Sequence, residues 1–226
     1  MKKQTWIVTG ANRGIGLEFV RRLVERGEDV IATARDPRRA DELRATGARV
    51  QALDIADPAS VAAFAKAVAD ERVDVLVNNA GQGVNSDSLG SIDFEIVRRL
   101  FEVNAMGTLR VTEALLPALR NGERKLIVNV TSRMGSIDDN TSGGAYAYRA
   151  SKAALNMINK CLANDLGREG FTSIVVHPGW VRTDMGGGGA PLSVETSVEG
   201  LLQVVDHLDA RANGRFFAFD GEEIPW

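Results

Sequence analysis

Residues 5–27 read TWIVTGANRGIGLEFVRRLVERG, and the fold follows from this stretch. Its opening is a short, continuous apolar run ending in a glycine, the signature of a strand buried on both faces. A glycine-rich turn with Gly10, Gly14 and Gly16 comes next, and GIGLEFVRRLVERG after it reads as a helix. Glycines let the backbone turn sharply and approach a pyrophosphate closely, and a helix N-terminus offers that anion free N–H groups and partial positive charge. Glycines also serve plain turns, so the motif alone leaves that alternative open; the strand–turn–helix context favours a nucleotide.

Moving outward, the alternation repeats. DVIATA (29–34) precedes PRRADELRATG, RVQALDI (49–55) precedes PASVAAFAKAVADE, and VDVLVNNAG (73–81) precedes FEIVRRLFEVNAMGTLRVTEALLPALR (94–120). KLIVNVTS (125–132) precedes AYAYRASKAALNMINKCLANDLGREG (145–170); TSIVVHPG (172–179) and RFFAFDG (215–221) complete the series. Continuous Val/Ile-rich runs alternating with helices predict a single-domain, Rossmann-type doubly wound parallel sheet of about seven strands over residues 1–226, with helices on both faces. Ligands of such sheets bind outside the carboxyl ends of the strands, so residues just after each run are the candidates.

Composition narrows the function classes. The 226 residues are 44% hydrophobic and 25% charged, enough for a core without disulfides and too apolar for long disorder. A net charge of −3 gives no support for general nucleic-acid binding. No apolar stretch approaches the ~20 residues that span a bilayer, and MKKQTW leads into a strand instead of a signal core. The expected location is cytoplasmic, with neither membrane nor nucleic acid as partner. Cys161 is the sole cysteine, and with His177 and His207 it offers no metal-ligand spacing, so no metal is expected.

The spacing T-G-x-x-x-G-x-G at Thr9–Gly16 resembles the short-chain dehydrogenase/reductase family. So do, in order, Asn78-Asn79-Ala80-Gly81, Asn104 in the long fourth helix, Ser132 after the fifth run, Tyr148-x-x-x-Lys152, and Pro178-Gly179 with Thr183 beyond. Six motifs in order, across essentially the whole chain, are specific where one is not. GAYAYRASKAALN, HPGWVRTDMGG and FDGEEIPW further resemble the sniffer and C-factor branch, associated with carbonyl reduction and in some members with signalling. The resemblance implies an NAD(P)-dependent oxidoreductase acting on a small carbonyl or the corresponding alcohol. It gives Tyr148 the role of proton donor, Ser132 that of orienting the carbonyl, Lys152 that of also holding the nicotinamide ribose, and Asn104 that of keeping a water that relays protons to Lys152. The implied cofactor set is Gly10, Asn12, Arg13, Gly14, Ile15, Gly16, Arg35, Asp54 against adenine, Ile55, Asn79, Ala80, Gly81, Tyr148, Lys152, Pro178, Gly179, Val181 and Thr183 against the carboxamide. A homo-oligomer, dimer or tetramer, is implied through the helices containing Ala105–Leu119 and Ala153–Leu166.

The residues themselves agree with the chemistry. Carbonyl reduction needs a hydride and a proton donor. A phenol near its ordinary pKa of ~10 is poorly matched to neutral pH, and a nearby ammonium lowers it. Tyr148 and Lys152, four apart, share one helix face, which the competing Tyr146 does not. On spacing alone, a packing tyrosine with a surface lysine, and Asn104 as a satisfied mid-helix amide, stay open. NAD-preferring folds carry an acid at the end of the second strand, where this chain has Ala34. Arg35 and Arg13 suit a 2′-phosphate, so NADP(H) is expected over NAD(H), with two solvated arginines as the alternative and Asp36 placed to repel the phosphate or hold Arg35.

Three segments carry weaker signals. Ser132 and Tyr148 stand sixteen positions apart, about three more than is usual in the family. The surplus, SIDDNTSGG (136–144), should bulge outward without moving either anchor, with Ser136 as an alternative hydroxyl. Residues 185–200 are expected as a substrate-side loop, whose Gly-rich start suits a lid or a plain connection equally. Trp180, Met185 and Trp226 suit a pocket wall, the core or an interface equally. Two other functions stay open: a 3-oxoacyl-carrier-protein reductase, with Arg98, Arg99 and Arg149 receiving an acidic carrier, and an NADP-binding signalling protein.

Overall fold

The computed structural model describes residues 3–83 and 87–226. Strands β1 (Thr5–Val8), β2 (Asp29–Ala34), β3 (Arg49–Ala52), β4 (Val75–Asn78), β5 (Leu126–Val130), β6 (Thr172–His177) and β7 (Phe216–Ala218) form one sheet, in the order β3-β2-β1-β4-β5-β6-β7. All pairings are parallel, with Ile7 opposite both Ile31 and Leu76, and Leu76 opposite Ile127. Helices α1 (Gly14–Glu25), α2 (Asp41–Arg44), α3 (Pro58–Ala67), α4 (Phe94–Phe101), α5 (Thr108–Arg120), α6 (Tyr146–Leu166) and α7 (Val194–Asp206) connect the strands. This is the doubly wound Rossmann-type α/β fold. Strand order reverses at β1, between β2 and β4, which opens a crevice at their carboxyl ends. No helix among the described residues is long and apolar enough to cross a membrane.

Alternation along each strand explains the unbroken apolar runs. Trp6, Val8, Val75 and Val77 meet Phe19 and Leu23 of α1 and Val198 and Leu202 of α7 on one face. On the other face Ile7, Leu76 and Ile127 meet Val61 and Phe64 of α3 and Val111 and Leu115 of α5. Each such side chain contributes ~1.5–3 kcal/mol by leaving water.

A buried polar seam crosses this apolar core. Asn78 Nδ2 donates to Thr112 Oγ1 (3.0 Å) and to Oδ1 of its register partner Asn129 (2.9 Å). Asn129 Nδ2 donates to Asn159 Oδ1 (2.9 Å), which also accepts from Ser173 Oγ (2.8 Å). The chain of polar groups joins α5, β4, β5, α6 and β6, starting near the carboxyl ends of β4 and β5 and reaching the amino end of β6 at Ser173.

Two boundaries differ from the sequence expectation. The long fourth helix is interrupted, because residues Glu102–Gly107 widen into a π-helical turn between α4 and α5. The loop expected over 185–200 ends earlier, because Ser193 Oγ caps the Thr196 N–H (3.1 Å) and α7 begins at Val194.

Asn129→Ala should cost about 2–3 kcal/mol, because it strips partners from Asn78 and Asn159 inside the core. Urea unfolding checks this, and a loss under about 0.5 kcal/mol would show that the seam contributes little.

Candidate active site

The turns after β1 and β4 interlock. Thr9 Oγ1 accepts the N–H groups of Asn79 and Ala80, both at 3.0 Å. Asn79 Nδ2 donates in return to the Thr9 and Gly10 carbonyls, again at 3.0 Å. A Cβ on Gly10, whose φ is +63°, would lie 2.7 Å from the Ala80 Cα, and one on Gly16 would lie 2.4 Å from Asn79 Nδ2. Only glycine fits at these two positions. Helix α1 then begins at Gly14 with no side-chain cap on its first turn. Asn79 was expected among the cofactor-binding residues; it lines the cleft, but its amide nitrogen is taken up by the turn.

The cleft that starts here has a volume of about 700 Å³. It brings together Gly10, Asn12, Arg13, Gly14, Ile15, Gly16, Arg35, Asp54, Ile55, Asn79, Ala80, Gly81, Tyr148, Lys152, Pro178 and Thr183. Gly179 and Val181 do not line it. Gly179 packs towards Leu192 and Phe219, and the buried Val181 bridges to Leu192, so both shape the wall from behind. Sequence reasoning missed Leu53, Gln82, Gly83, Val103, Val130, Thr131, Arg182, Asp184 and Val194, which also line the cleft. Gln82 and Thr131 were findable as the residues following strand ends; Val103 and Val194 carry no signal. Met185 does line the wall, whereas Trp180 is exposed with its indole N–H on the Gly186 carbonyl (2.8 Å), and Trp226 packs against Phe216 (5.8 Å between ring centroids).

At the end near β2, Arg35 is exposed and makes no ion pair among the described residues. Asp36 does not hold it. Arg38 occupies that carboxylate at 3.1 Å and keeps it below the usual carboxylate range. Arg13 reaches across the cleft to Asp184 at 2.6 Å.

At the other end, Tyr148 is the third residue of α6 and Lys152 stands one turn on. The Lys152 ammonium donates to the Val130 carbonyl (3.0 Å) and lies 5.9 Å from the Tyr148 ring centroid. Burial lowers its pKa to about 8. Burial also raises the Tyr148 phenol above its ordinary value, partly offset by a hydrogen bond with Ser132. The lowering expected from the ammonium is not found: burial sets the direction, and Ser132 is what opposes it. Tyr146 is 43% exposed, away from this site.

Asn104, fully buried in the π-helical turn, donates to the Gln82 carbonyl (2.9 Å) and to Ser151 Oγ (3.0 Å) and accepts the Gln82 N–H (2.8 Å). Ser151 Oγ donates to the Tyr148 carbonyl (2.8 Å). Asn104 Oδ1 and Lys152 Nζ meet over Gly81, 3.2 and 3.5 Å from where its Cβ would be. The surplus segment folds outward against the C-terminal residues. Arg133 pairs with Asp139 (3.1 Å) and with Glu222, the Asp138 N–H reaches the Trp226 carbonyl (3.0 Å), and Ser136 Oγ accepts from the Asp139 N–H (3.1 Å). Ser136 is thus engaged inside its own turn. The His177 pKa is pushed down to about 4 by burial, and its Nδ1 has no hydrogen-bond partner among the described residues.

Residues 4–190 match the family model of the short chain dehydrogenases. The chain belongs to that family. Membership makes it an NAD(P)-dependent oxidoreductase. It is 52% identical to the C-signal of Myxococcus xanthus over 164 residues, 73% of this chain and 99% of that protein. Among solved structures it matches the NADPH-bound carbonyl reductase from chicken fatty liver (TM-score 0.94, 33% identity) and the carbonyl reductase Sniffer of D. melanogaster (TM-score 0.94, 31% identity). Both matches cover 100% of each chain.

The lowered Lys152 pKa has a signed consequence. Below about pH 8 the lysine is charged in folded and unfolded chains alike, and the folded state bears the full burial cost. From about 8 towards its unfolded value near 10.5 the folded chain binds fewer protons, so this cost is relieved as pH rises. The stability deficit of the cofactor-free wild type against Lys152→Met should shrink by roughly 2 kcal/mol between about pH 8 and 10, measured by denaturant unfolding. A pH-independent difference would contradict it.

Proposed function

We propose that this protein is an NADP(H)-dependent carbonyl reductase of small aldehydes, ketones or quinones, with Tyr148 as proton donor. The observation that carries this reading is one cleft running from the uncapped, glycine-built start of α1 to Tyr148, with the buried Lys152 ammonium 5.9 Å from the centre of the phenol ring. The residues fit a dinucleotide. Gly10 and Gly16 leave backbone close to the cleft where any Cβ would collide, and the α1 N-terminus suits a pyrophosphate. The end near β2 offers Arg35, with Ala34 in place of an acid, and Arg13 of the neighbouring turn would join it on leaving Asp184, which suits a 2′-phosphate. The chicken structure, alike over the whole chain, holds NADPH.

A bound nicotinamide supplies the hydride. The chain supplies the rest. Ser132 and Tyr148 converge their hydroxyls on the carbonyl oxygen and fix its orientation. The Tyr148 hydroxyl donates the proton as negative charge develops there. Lys152, with a pKa of about 8, is poised to exchange protons near neutrality and to hold the ribose hydroxyls. Asn104 Oδ1 beside Lys152 Nζ over Gly81 is the place for a relaying water. Thr183, Asp54 and Ile55 complete the cofactor contacts. Met106, Leu109 and Met157, exposed in the α5–α6 region, suit the pairing of two copies.

A second reading, an NADP-binding protein with a signalling role, is favoured by the likeness to C-signal. Arginines for an acidic carrier protein are less available, since Arg98 pairs with Glu95 and Arg149 bonds Ser142.

Oxidation of NADPH and of NADH is followed with aldehydes, ketones and quinones. Turnover should prefer NADPH, and Tyr148→Phe should lose about a thousandfold in kcat with NADPH affinity kept. Tight NADPH binding with no turnover on any panel member would shift weight to the signalling reading. Arg35→Asp should cut the NADPH-over-NADH preference by about 30-fold in kcat/KM, and an unchanged ratio would refute the assignment of Arg35.

A further inference from the structure

Helix α6 starts without help from its own flank. Gly143, Gly144 and Ala145 all have positive φ (64°, 66° and 47°), and Ala145, the N-cap, has no side chain to accept from the first turn. A left-handed alanine is strained and persists only where its surroundings hold it. The missing acceptors come from Asp87, on the loop between β4 and α4. Its carbonyl accepts the Ala145 N–H (2.9 Å) and its Oδ2 accepts the Ala147 N–H (3.2 Å). A carboxylate at this end also suits the helix dipole. The other oxygen, Oδ1, is buried with no hydrogen-bond partner among the described residues.

Ala147 immediately precedes Tyr148. The same loop begins at Gln82, gripped by Asn104, which bonds Ser151, which bonds the Tyr148 carbonyl. The β4–α4 loop therefore holds α6 on both sides of Tyr148. We propose that Asp87 is a positioning residue. By capping α6 from a different loop, it sets where the Tyr148 hydroxyl stands relative to Ser132. It also ties that placement to the loop whose Gln82 and Gly83 line the cleft. This rests on Tyr148 as proton donor.

Three variants test it in the full chain, beside Tyr148→Phe. Asp87→Ala should lose about tenfold in kcat, with the NADPH dissociation constant unchanged. Asp87→Asn, whose amide oxygen can still accept from Ala147, should stay within about twofold of wild type. Asp87→Glu keeps the charge but displaces the acceptor, and should behave like the alanine variant. The Asn–Glu contrast stands even if Asp87→Ala fails to fold. Amide hydrogen exchange over residues 146–149 gives a readout independent of turnover, expected about fivefold faster in the Ala and Glu variants but not in Asn. Wild-type kcat in Asp87→Ala, or an Asn variant as impaired as Glu, would overturn the proposal. Absence of turnover in the wild type itself would defeat the reductase reading, while the exchange contrast would still decide whether Asp87 caps α6.

Discussion

The constraint on which the site depends is the contact between the turns leaving β1 and β4. At the switch point two strand ends must approach closely enough to frame a dinucleotide without leaving their backbone groups unpaired. Thr9 and Asn79 solve this reciprocally, one hydroxyl accepting two N–H groups and one amide donating to two carbonyls. Gly10 and Gly16 are required at the same contact, because the partner backbone and amide occupy the space of a side chain. The uncapped start of α1 and the position of Gly81 both follow from this approach.

A similar economy governs the chemical end. Lys152 is buried, with the Val130 carbonyl as its one acceptor among the described residues, and Tyr148 is half-buried. Both pKa shifts in the cofactor-free chain arise from desolvation. Phenol and ammonium are each pushed towards their neutral forms, which differs from the simple picture of an ammonium activating a phenolate. The π-helical turn matters here because it brings Asn104 into reach of Gln82 and Ser151 together.

The sheet and its helices were legible because both faces are covered: Ile7 and Trp6 point oppositely yet both are buried, so β1 reads as one apolar run. Gly10, Tyr148 and Lys152 were legible because backbone approach and helical spacing leave a local signature. What was not legible depends on distant partners. Asn79 reads as a cleft residue, and only its partners Thr9 and Gly10 show that its amide also ties the two turns together. Asp36 reads as a partner for Arg35 until Arg38 is seen to hold it. The π-helical turn has no local marker in EVNAMG, and Asp87, sixty residues from Ala147, gives no sign of serving α6.

The bridge from Arg13 to Asp184 joins the glycine turn to the segment after β6, with both side chains about three-quarters exposed. Exposed pairs contribute only ~0–1 kcal/mol and are screened over ~8 Å at physiological ionic strength. It is therefore a clasp weak enough to open by thermal motion, shaping the mouth of the cleft without sealing it. On the proposed NADP(H) reading, a 2′-phosphate that draws on Arg13 would compete with Asp184 for its guanidinium. One guanidinium would then serve either the nucleotide's tail or the link between the two segments, and not both at once.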